Sequence, residues 1–256
     1  MGLSKPSVTI RRVFGAILLL PVVFAVWYDQ RIGGLMVMFL ALFMTLEAKR
    51  LMNMPPITGY LFVALIMAQS IPHWVLDRPV ALIYGFALLV ASMVLLHTKK
   101  IIVALFTGLL SLCFGSASLL LLQPSGHIML VALAAIIAAC DSAAYFVGRR
   151  FGGPKLWPQV SPSKTISGSI GGLVAAIGLT IALADVIGLA DQLDALVLGL
   201  GLGILAQAGD LLESAIKRRL NVKDSGSIIP GHGGMLDRFD GYILAIPAFY
   251  LYLFEL

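Results

Sequence analysis

A polar, glycine-rich segment in the carboxyl-terminal half concentrates groups that could do chemistry. It runs from Ser214 to Asp240 and reads SAIKRRLNVKDSGSIIPGHGGMLDRFD. Glycines let a backbone approach phosphate oxygens, cations neutralise those oxygens, and carboxylates hold Mg²⁺. The composition therefore predicts a site for a polyphosphate with its metal. The charged side chains of this segment are Lys217, Arg218, Arg219, Lys223, Asp224, Asp237, Arg238 and Asp240.

Two carboxylates lie near the edges of this segment. Asp210 ends an apolar run in AGDLLES, and Asp237 precedes the last apolar run in MLDRFD. Because consecutive membrane spans are antiparallel, both side chains are expected at the same depth, where they could hold one or two Mg²⁺ ions. An ion pair with a nearby Lys or Arg is the alternative for each. Asp141, Glu213 and Asp240 are further candidate ligands, and a helix–helix hydrogen bond is the alternative for Asp141.

A second polar segment has hydroxyl groups and a lysine directly before a predicted helix. The N-terminus of a helix attracts anions because its first backbone N–H groups have no partner within the helix. Phosphate binding is therefore one interpretation, and an ordinary N-cap beside a topology-setting lysine is the other. The residues concerned are Ser161, Ser163, Lys164 and Thr165.

The elements that must position these groups are apolar. The chain has 256 residues, of which 59% are hydrophobic and 12% charged, whereas a soluble globular protein has about 25% charged residues. This is too little charge to cover a soluble surface. We therefore predict an all-α, polytopic membrane protein whose spans approach the roughly 20 residues that a membrane helix needs. The nine predicted spans are 13–28, 32–46, 58–76, 79–96, 101–122, 127–147, 168–189, 193–212 and 241–255.

The distribution of cations predicts the orientation. With the N-terminus in the cytoplasm and nine alternating spans, all of the 18 lysines and arginines except Arg31 and Arg78 lie on the cytoplasmic side, as the positive-inside rule requires. The net charge of +5 is thus a topology signal and not a sign of nucleic-acid binding. The N-terminal arginine pair and the apolar run that follows it together resemble a signal peptide. No small-x-small cleavage pattern follows this run, so we expect it to be retained as the first membrane helix.

Function is expected in the two long cytoplasmic loops, residues 148–167 and 213–240. We divide the chain into N-terminal helices 1–5 (residues 1–125) and a catalytic part, helices 6–9 (residues 126–256). Two small-residue pairs in the catalytic part allow close helix packing, either within the chain or in a homodimer. They are Gly168 with Gly172 and Gly199 with Gly203. Cys113 and Cys140 are expected to be small buried hydrophobes.

The polar segments together resemble the phosphatidate cytidylyltransferase (CDP-diacylglycerol synthase) family. The family pattern S-x-x-K-R, then K-D, then P-G-H-G-G-x-x-D-R-x-D is met without a gap between Ser214 and Asp240. D-x-x-A-Y-x-x-G-R from Asp141 to Arg149 is also similar, as is S-P-x-K-T from Ser161 to Thr165. The resemblance is strong over roughly residues 138–241.

The resemblance implies that CTP and phosphatidate react to CDP-diacylglycerol and pyrophosphate at a bacterial inner membrane, with the site facing the cytoplasm. Asp210 and Asp237 would hold Mg²⁺, with Lys217 and Arg218 completing the catalytic set. Arg238 would bind the lipid phosphate. His232 is expected either to contact phosphate or only to order its turn. The expected substrate-binding residues are Ser161, Lys164, Thr165, Lys223, Asp224, His232, Gly233, Gly234 and Arg238.

Two departures from the family pattern stand out. The family usually has Lys and Glu where this chain has Ser163 and Ser167. We expect Glu213 or Asp141 to compensate for the missing acid. A CTP-dependent polyprenol kinase is an alternative function. A membrane transporter is an alternative of another class, although most charged residues lie outside the predicted spans.

Overall fold

Ten helices and one β-hairpin make up the described part of the chain. The computed structural model describes residues 23–24, 26–70, 80–98, 100–226 and 233–254. The elements in chain order are α1 (Gln30–Leu51), α2 (Pro56–Gln69), α3 (Val80–Thr98), α4 (Ile101–Leu120), α5 (Gly126–Phe151), β1 (Lys155–Trp157), β2 (Ser161–Thr165), α6 (Ile166–Ala182), α7 (Ala184–Ile187), α8 (Gln192–Arg219), α9 (Leu236–Phe239) and α10 (Tyr242–Phe254).

Apolar composition accounts for these helices. Each predicted span from 32–46 to 241–255 overlaps a helix, and the first, 13–28, lies mostly outside the described residues. Helices α1, α4, α5 and α8 are long and apolar enough to cross a membrane, and α2, α6 and α10 are shorter apolar helices. The prediction of a nearly all-helical chain is therefore confirmed, and its long apolar helices are compatible with a membrane protein. The number of spans, their orientation and the division at residue 125 stay predictions.

The prediction of an all-α chain missed a two-stranded antiparallel hairpin. In this hairpin Lys155 pairs with Thr165 and Trp157 with Ser161. The chain reaches it through Gly152 and Gly153, whose φ angles of 62° and 98° are rare for residues with a side chain. The glycines that end α5 therefore turn the chain back, and the hairpin lies over the bundle end.

The predicted loops were also too long. Helix α5 continues to Phe151 and α8 to Arg219, beyond the predicted span ends at 147 and 212. Both extensions have cations in their last turn, where positive charge is favourable near the negative end of the helix dipole. Apolar composition locates the membrane-embedded part of a helix, but charged residues can continue the same helix outside it.

Glycines set the closest helix contacts. A Cβ on Gly168 of α6 would lie 2.6 Å from the carbonyl oxygen of Ala144 on α5, and one on Gly199 of α8 would lie 2.8 Å from Cα of Ile177 on α6. Gly172 and Gly203 are similarly close to α5 and α6. The two small-residue pairs thus pack within the chain, which was the intramolecular alternative. Both cysteines are buried, as predicted.

Replacing Gly168 with Ala should destabilise the protein by about 1–3 kcal/mol, because α5 and α6 must separate to admit the methyl group. Gly178→Ala on the same helix is the matched control, since nothing lies within 4 Å of its Cβ position. Alanine there should be neutral or slightly stabilising, because it favours the helix. Thermal unfolding in detergent measures both. Equal melting temperatures for the two variants would contradict this account of the packing.

Candidate active site

A polar cavity of about 700 Å³ lies at one end of the helix bundle. Its walls come from the C-terminal parts of α5 and α8, the hairpin, the first turns of α6, and α9. Antiparallel packing brings these ends together, so residues far apart in sequence share one cavity. The polar and charged lining residues are Asp141, Tyr145, Arg149, Lys155, Ser163, Lys164, Thr165, Ser169, Gln207, Asp210, Asp237, Arg238 and Asp240.

An ion pair between Lys164 and Asp210 joins the hairpin to α8. The two side chains are 26% and 29% exposed, and the Ser214 hydroxyl donates to Asp210 at 3.4 Å. A partly exposed pair such as this is easily exchanged for other partners. A bound phosphate would compete for the Lys164 ammonium, and its metal would compete for the Asp210 carboxylate.

Protein donors surround the carboxylate of Asp237. The backbone N–H of Ser225 donates to both of its oxygens at 3.1 and 3.0 Å, the N–H of Gly234 donates to Oδ2 at 2.7 Å, and Lys217 Nζ lies 2.6 Å from Oδ1. Burial alone would raise the pKa of Asp237, but these hydrogen bonds and the Lys217 charge outweigh it, and the pKa is lowered. Asp237 therefore stays ionised at neutral pH while it lines the cavity.

Lys217 lies beneath the cavity and not in its lining. It is 7% exposed, and its ammonium group bridges Glu213, one turn earlier on α8, and Asp237. Glu213 is fully buried. A cation between two buried carboxylates neutralises charge that would otherwise be costly to bury. The described contacts thus assign Lys217 to an internal network, and its place in the catalytic set stays a prediction.

Asp141 and Asp240 add two carboxylates to the cavity. Burial raises the pKa of Asp240 well above its usual value, and the charges of Asp210, Glu213 and Asp141 add to this effect. Among the described residues, however, no three His, Cys, Asp or Glu side chains form a group that could hold a metal by themselves. A cation here would need oxygens from a bound substrate, as is usual for Mg²⁺.

The hydroxyl groups at the start of α6 form hydrogen bonds that stabilise the local fold. Thr165 is the N-cap of α6, and its Oγ1 accepts from the N–H of Gly168 at 3.1 Å. Ser167 donates to the carbonyl of Gly152 and so ties α6 to the start of the hairpin. Of the two interpretations, phosphate binding or an ordinary N-cap, the structure shows the N-cap at Thr165. The Thr165 side chain also lines the cavity. Ser163 is another lining residue, whereas Ser161 is not.

The compensation hypothesis for Ser167 now depends on Asp141. Asp141 lines the same cavity as Ser163 and Lys164, whereas Glu213 is buried against Lys217 outside it. An acid that balances positive charge within the cavity has to reach the cavity, and Asp141 does so.

Several predicted site residues lie outside the cavity lining. Arg218 donates to the Val222 carbonyl at 3.0 Å, and Lys223 and Asp224 are exposed. Gly233 has a φ of 83°, and a Cβ there would lie 2.7 Å from Oδ2 of Asp237. Gly233 thus allows the chain to pass close to this carboxylate, and Gly234 donates its N–H to it. His232 lies outside the described residues.

Sequence reasoning missed two kinds of residue. Gln207 of α8 and Ser169 of α6 line the cavity and are joined by the Gln207 Nε2 bond to the Ser169 carbonyl, 3.1 Å long. Gln207 was missed because a single uncharged amide within an apolar run does not by itself indicate a functional site. Glu47 of α1 is only 1% exposed and contacts the glycine-rich segment. Its only signal was a carboxylate directly after the predicted span 32–46, which the structure places inside α1.

The chain belongs to the cytidylyltransferase family, which it matches over residues 9–256. It is 45% identical over 148 residues to a phosphatidate cytidylyltransferase of Brucella suis, covering 57% of this chain and 55% of the relative. It is 47% identical over 123 residues to one of Bacillus subtilis, covering 46% and 44%. It is 31% identical over 265 residues to one of Staphylococcus saprophyticus, covering 97% and 98%. The matches to the first two thus span about half the length of those relatives.

Proposed function

We propose that this protein is a phosphatidate cytidylyltransferase, which transfers CMP from CTP to phosphatidate and releases pyrophosphate. The carrying observation is the cavity in which Lys164, Arg149 and Arg238 lie with carboxylates at the end of apolar helices. Such a cavity suits one substrate from water and one that stays in the bilayer. The family match and the names of the relatives support the same reaction.

The reaction requires charge neutralisation more than proton transfer. A phosphate monoester has a second pKa near 6, so phosphatidate is largely dianionic at neutral pH and needs no strong base. One of its oxygens attacks the α-phosphorus of CTP, and the bond from that phosphorus to the oxygen bridging to the β-phosphorus breaks. Pyrophosphate leaves with that electron pair. Cations fixed around the reacting phosphates lower the barrier for such a transfer.

The cavity residues divide between these tasks. Lys164, between the hairpin and α6, would hold the CTP phosphates, and Arg238 the lipid phosphate. Arg149 and Lys155 line the same cavity and would screen the leaving pyrophosphate. No residue has to act as a base, which agrees with the pairing of Asp210 to Lys164.

The carboxylates of the cavity suit Mg²⁺ held jointly with substrate phosphates. Asp210 and Asp237 would hold it, and Asp141 and Asp240 are further oxygen donors in the same lining. Mg²⁺ is usually bound by one or two carboxylates plus phosphates, and it would neutralise developing charge on the triphosphate. Asp237 has less spare acceptor capacity than Asp210, because its oxygens already accept from Ser225 and Gly234.

One labelling experiment tests the reaction. The purified protein is incubated with Mg²⁺, phosphatidate and CTP carrying a radiolabel on either the α- or the γ-phosphorus. Cytidylyl transfer puts only the α-label into lipid and releases the γ-label as pyrophosphate. A γ-label in lipid would instead show a lipid kinase, which can be checked with a polyprenol acceptor. If neither label enters lipid, the proposed function is wrong.

We further propose nine spans in a bacterial inner membrane, with both polar segments in the cytoplasm. Single cysteines at Gln159 on the hairpin and at Lys223 should then resist an impermeant thiol reagent in intact cells and react after lysis. Ala190→Cys, on the connection between α7 and α8, should react in intact cells. The native cysteines are buried, so background is low. Labelling at 159 or 223 from outside would overturn the orientation.

Lys164→Met should raise the KM for CTP by about 10–100-fold, because a hydrogen bond to a charged group contributes about 1.5–3 kcal/mol. The KM for phosphatidate should change much less. Lys100→Met is the comparison, since Lys100 is exposed and outside the cavity lining. Its effect should stay within about twofold. An equal rise in KM for both variants would contradict the assignment of Lys164 to CTP.

A further inference from the structure

Glu47 is a buried acid with no role in the reaction described so far. It lies near the C-terminal end of α1, far from the polar segments in sequence, and is 1% exposed. It does not line the cavity. A carboxylate removed from water is costly unless hydrogen bonds compensate it. Its partners therefore indicate what the carboxylate does.

Its hydrogen-bond partners among the described residues come from the glycine-rich segment. Oε1 accepts from the backbone N–H of Met235 at 2.9 Å. Oε2 accepts from the N–H of Leu236 at 2.8 Å and from the Ser225 hydroxyl at 3.2 Å. One carboxylate thus holds two stretches of chain that lie on either side of residues 227–232, and it fixes their separation.

The same two stretches hold Asp237. Ser225 donates its hydroxyl to Glu47 and its N–H to Asp237, so one residue joins the two carboxylates. Met235 and Leu236, bound by Glu47, directly precede Asp237 in the chain. A shift of Glu47 would therefore move both the backbone that carries Asp237 and a donor that orients it.

Close packing shows that this contact admits no side chain. A Cβ on Gly226 would lie 2.6 Å from Oε1 of Glu47, and one on Gly234 would meet both Oε2 of Glu47 and the Ser225 hydroxyl. Both glycines are thus required by proximity to Glu47. This gives a physical reason, independent of phosphate, for two glycines of the glycine-rich segment.

We propose that Glu47 is a positioning residue, which holds the segment 225–226 and 233–236 so that Asp237 and Arg238 face the cavity. The inference rests on the proposed cytidylyl transfer for its catalytic consequence. The hydrogen bonds between Glu47 and the segment, which we call the Glu47 clamp, do not depend on which reaction occurs. It gives α1 a part in the site, although the signature lies wholly in the other half of the chain.

Glu47→Gln keeps the size of the side chain but replaces one acceptor oxygen with an amide donor, which faces other donors. We expect kcat to fall about 10–100-fold, because a misplacement of about 1 Å can cost this much. The KM for CTP should stay within about threefold, since Lys164 is untouched. Hydrogen exchange at residues 225–226 and 233–236 should become faster, with an unchanged melting temperature.

Thr45→Val on the same helix is the matched control. Thr45 is also fully buried, but its hydroxyl donates to carbonyls of its own helix, those of Ala41 and Leu42. It should leave kcat and the exchange of the segment unchanged. If Glu47→Gln does not fold, Ser225→Ala removes one clamp bond and should give a smaller change of the same kind.

The outcomes separate the two proposals. Unchanged exchange in the segment, or an unchanged kcat with faster exchange, overturns the role of Glu47. Faster exchange throughout α1 and α4 with a lower melting temperature shows a merely structural residue and overturns it as well. Wild-type protein that transfers no cytidylyl group contradicts the proposed function, and the exchange measurement still decides whether Glu47 clamps the segment.

Discussion

Replacing Asp210 with Asn is expected to lower kcat by about 10²–10³-fold, the usual loss when one electrostatic contact to a transition state is removed. Asn keeps the size and one acceptor oxygen but loses the charge. It would therefore bind a cation poorly and would release Lys164 from its ion pair. Steady-state rates of lipid-linked cytidylyl product, measured over a range of Mg²⁺ concentrations, give this loss. Excess Mg²⁺ should restore part of the activity.

Asp185→Asn is the matched control for this substitution. Asp185 is exposed on α7, at the opposite end of α6 from the cavity. Its replacement should leave kcat within about twofold and the melting temperature unchanged. Near-normal turnover of Asp210→Asn at ordinary Mg²⁺ would show that Asp210 serves only its ion pair, and the metal proposal would fail with it.

Replacing Lys217 with Met should destabilise the protein by about 3–5 kcal/mol, because removal of one partner leaves uncompensated buried charge. Lys217 is the cation that contacts both Glu213 and Asp237, and all three side chains are at most 9% exposed. Met fills a similar volume, so the lost charge and not a cavity should dominate. Thermal or denaturant unfolding in detergent measures the loss, and activity should fall because Asp237 loses a donor.

A second substitution isolates the electrostatic cause. Glu213→Gln added to Lys217→Met removes one uncompensated carboxylate and should recover part of the stability. Arg218→Met, with its exposed side chain on the next residue, should change the free energy of unfolding by less than about 0.5 kcal/mol. If the double variant is less stable than Lys217→Met alone, the network does not work through charge balance.

The sequence was a good guide to the membrane helices because a bilayer imposes a simple rule. Backbone groups in hydrocarbon must bond within their own helix, so apolar runs of nearly 20 residues become helices. The runs at 101–122 and 127–147 correspond to α4 and α5 with small differences in their bounds. The hairpin at 155–165 was not predicted, because two glycines with positive φ decide it and many loop conformations accept glycine.

The sequence by itself determined which family the chain belongs to, and it marked Asp210, Lys164 and Asp237, which share one cavity. Motif spacing suffices there, because antiparallel helices bring consecutive ends together. Only the tertiary structure decided that Lys217 bridges two carboxylates beneath the cavity and that Glu47 holds the segment beside Asp237. These contacts join residues far apart in the chain through packing between helices, and no local pattern records which helix faces which.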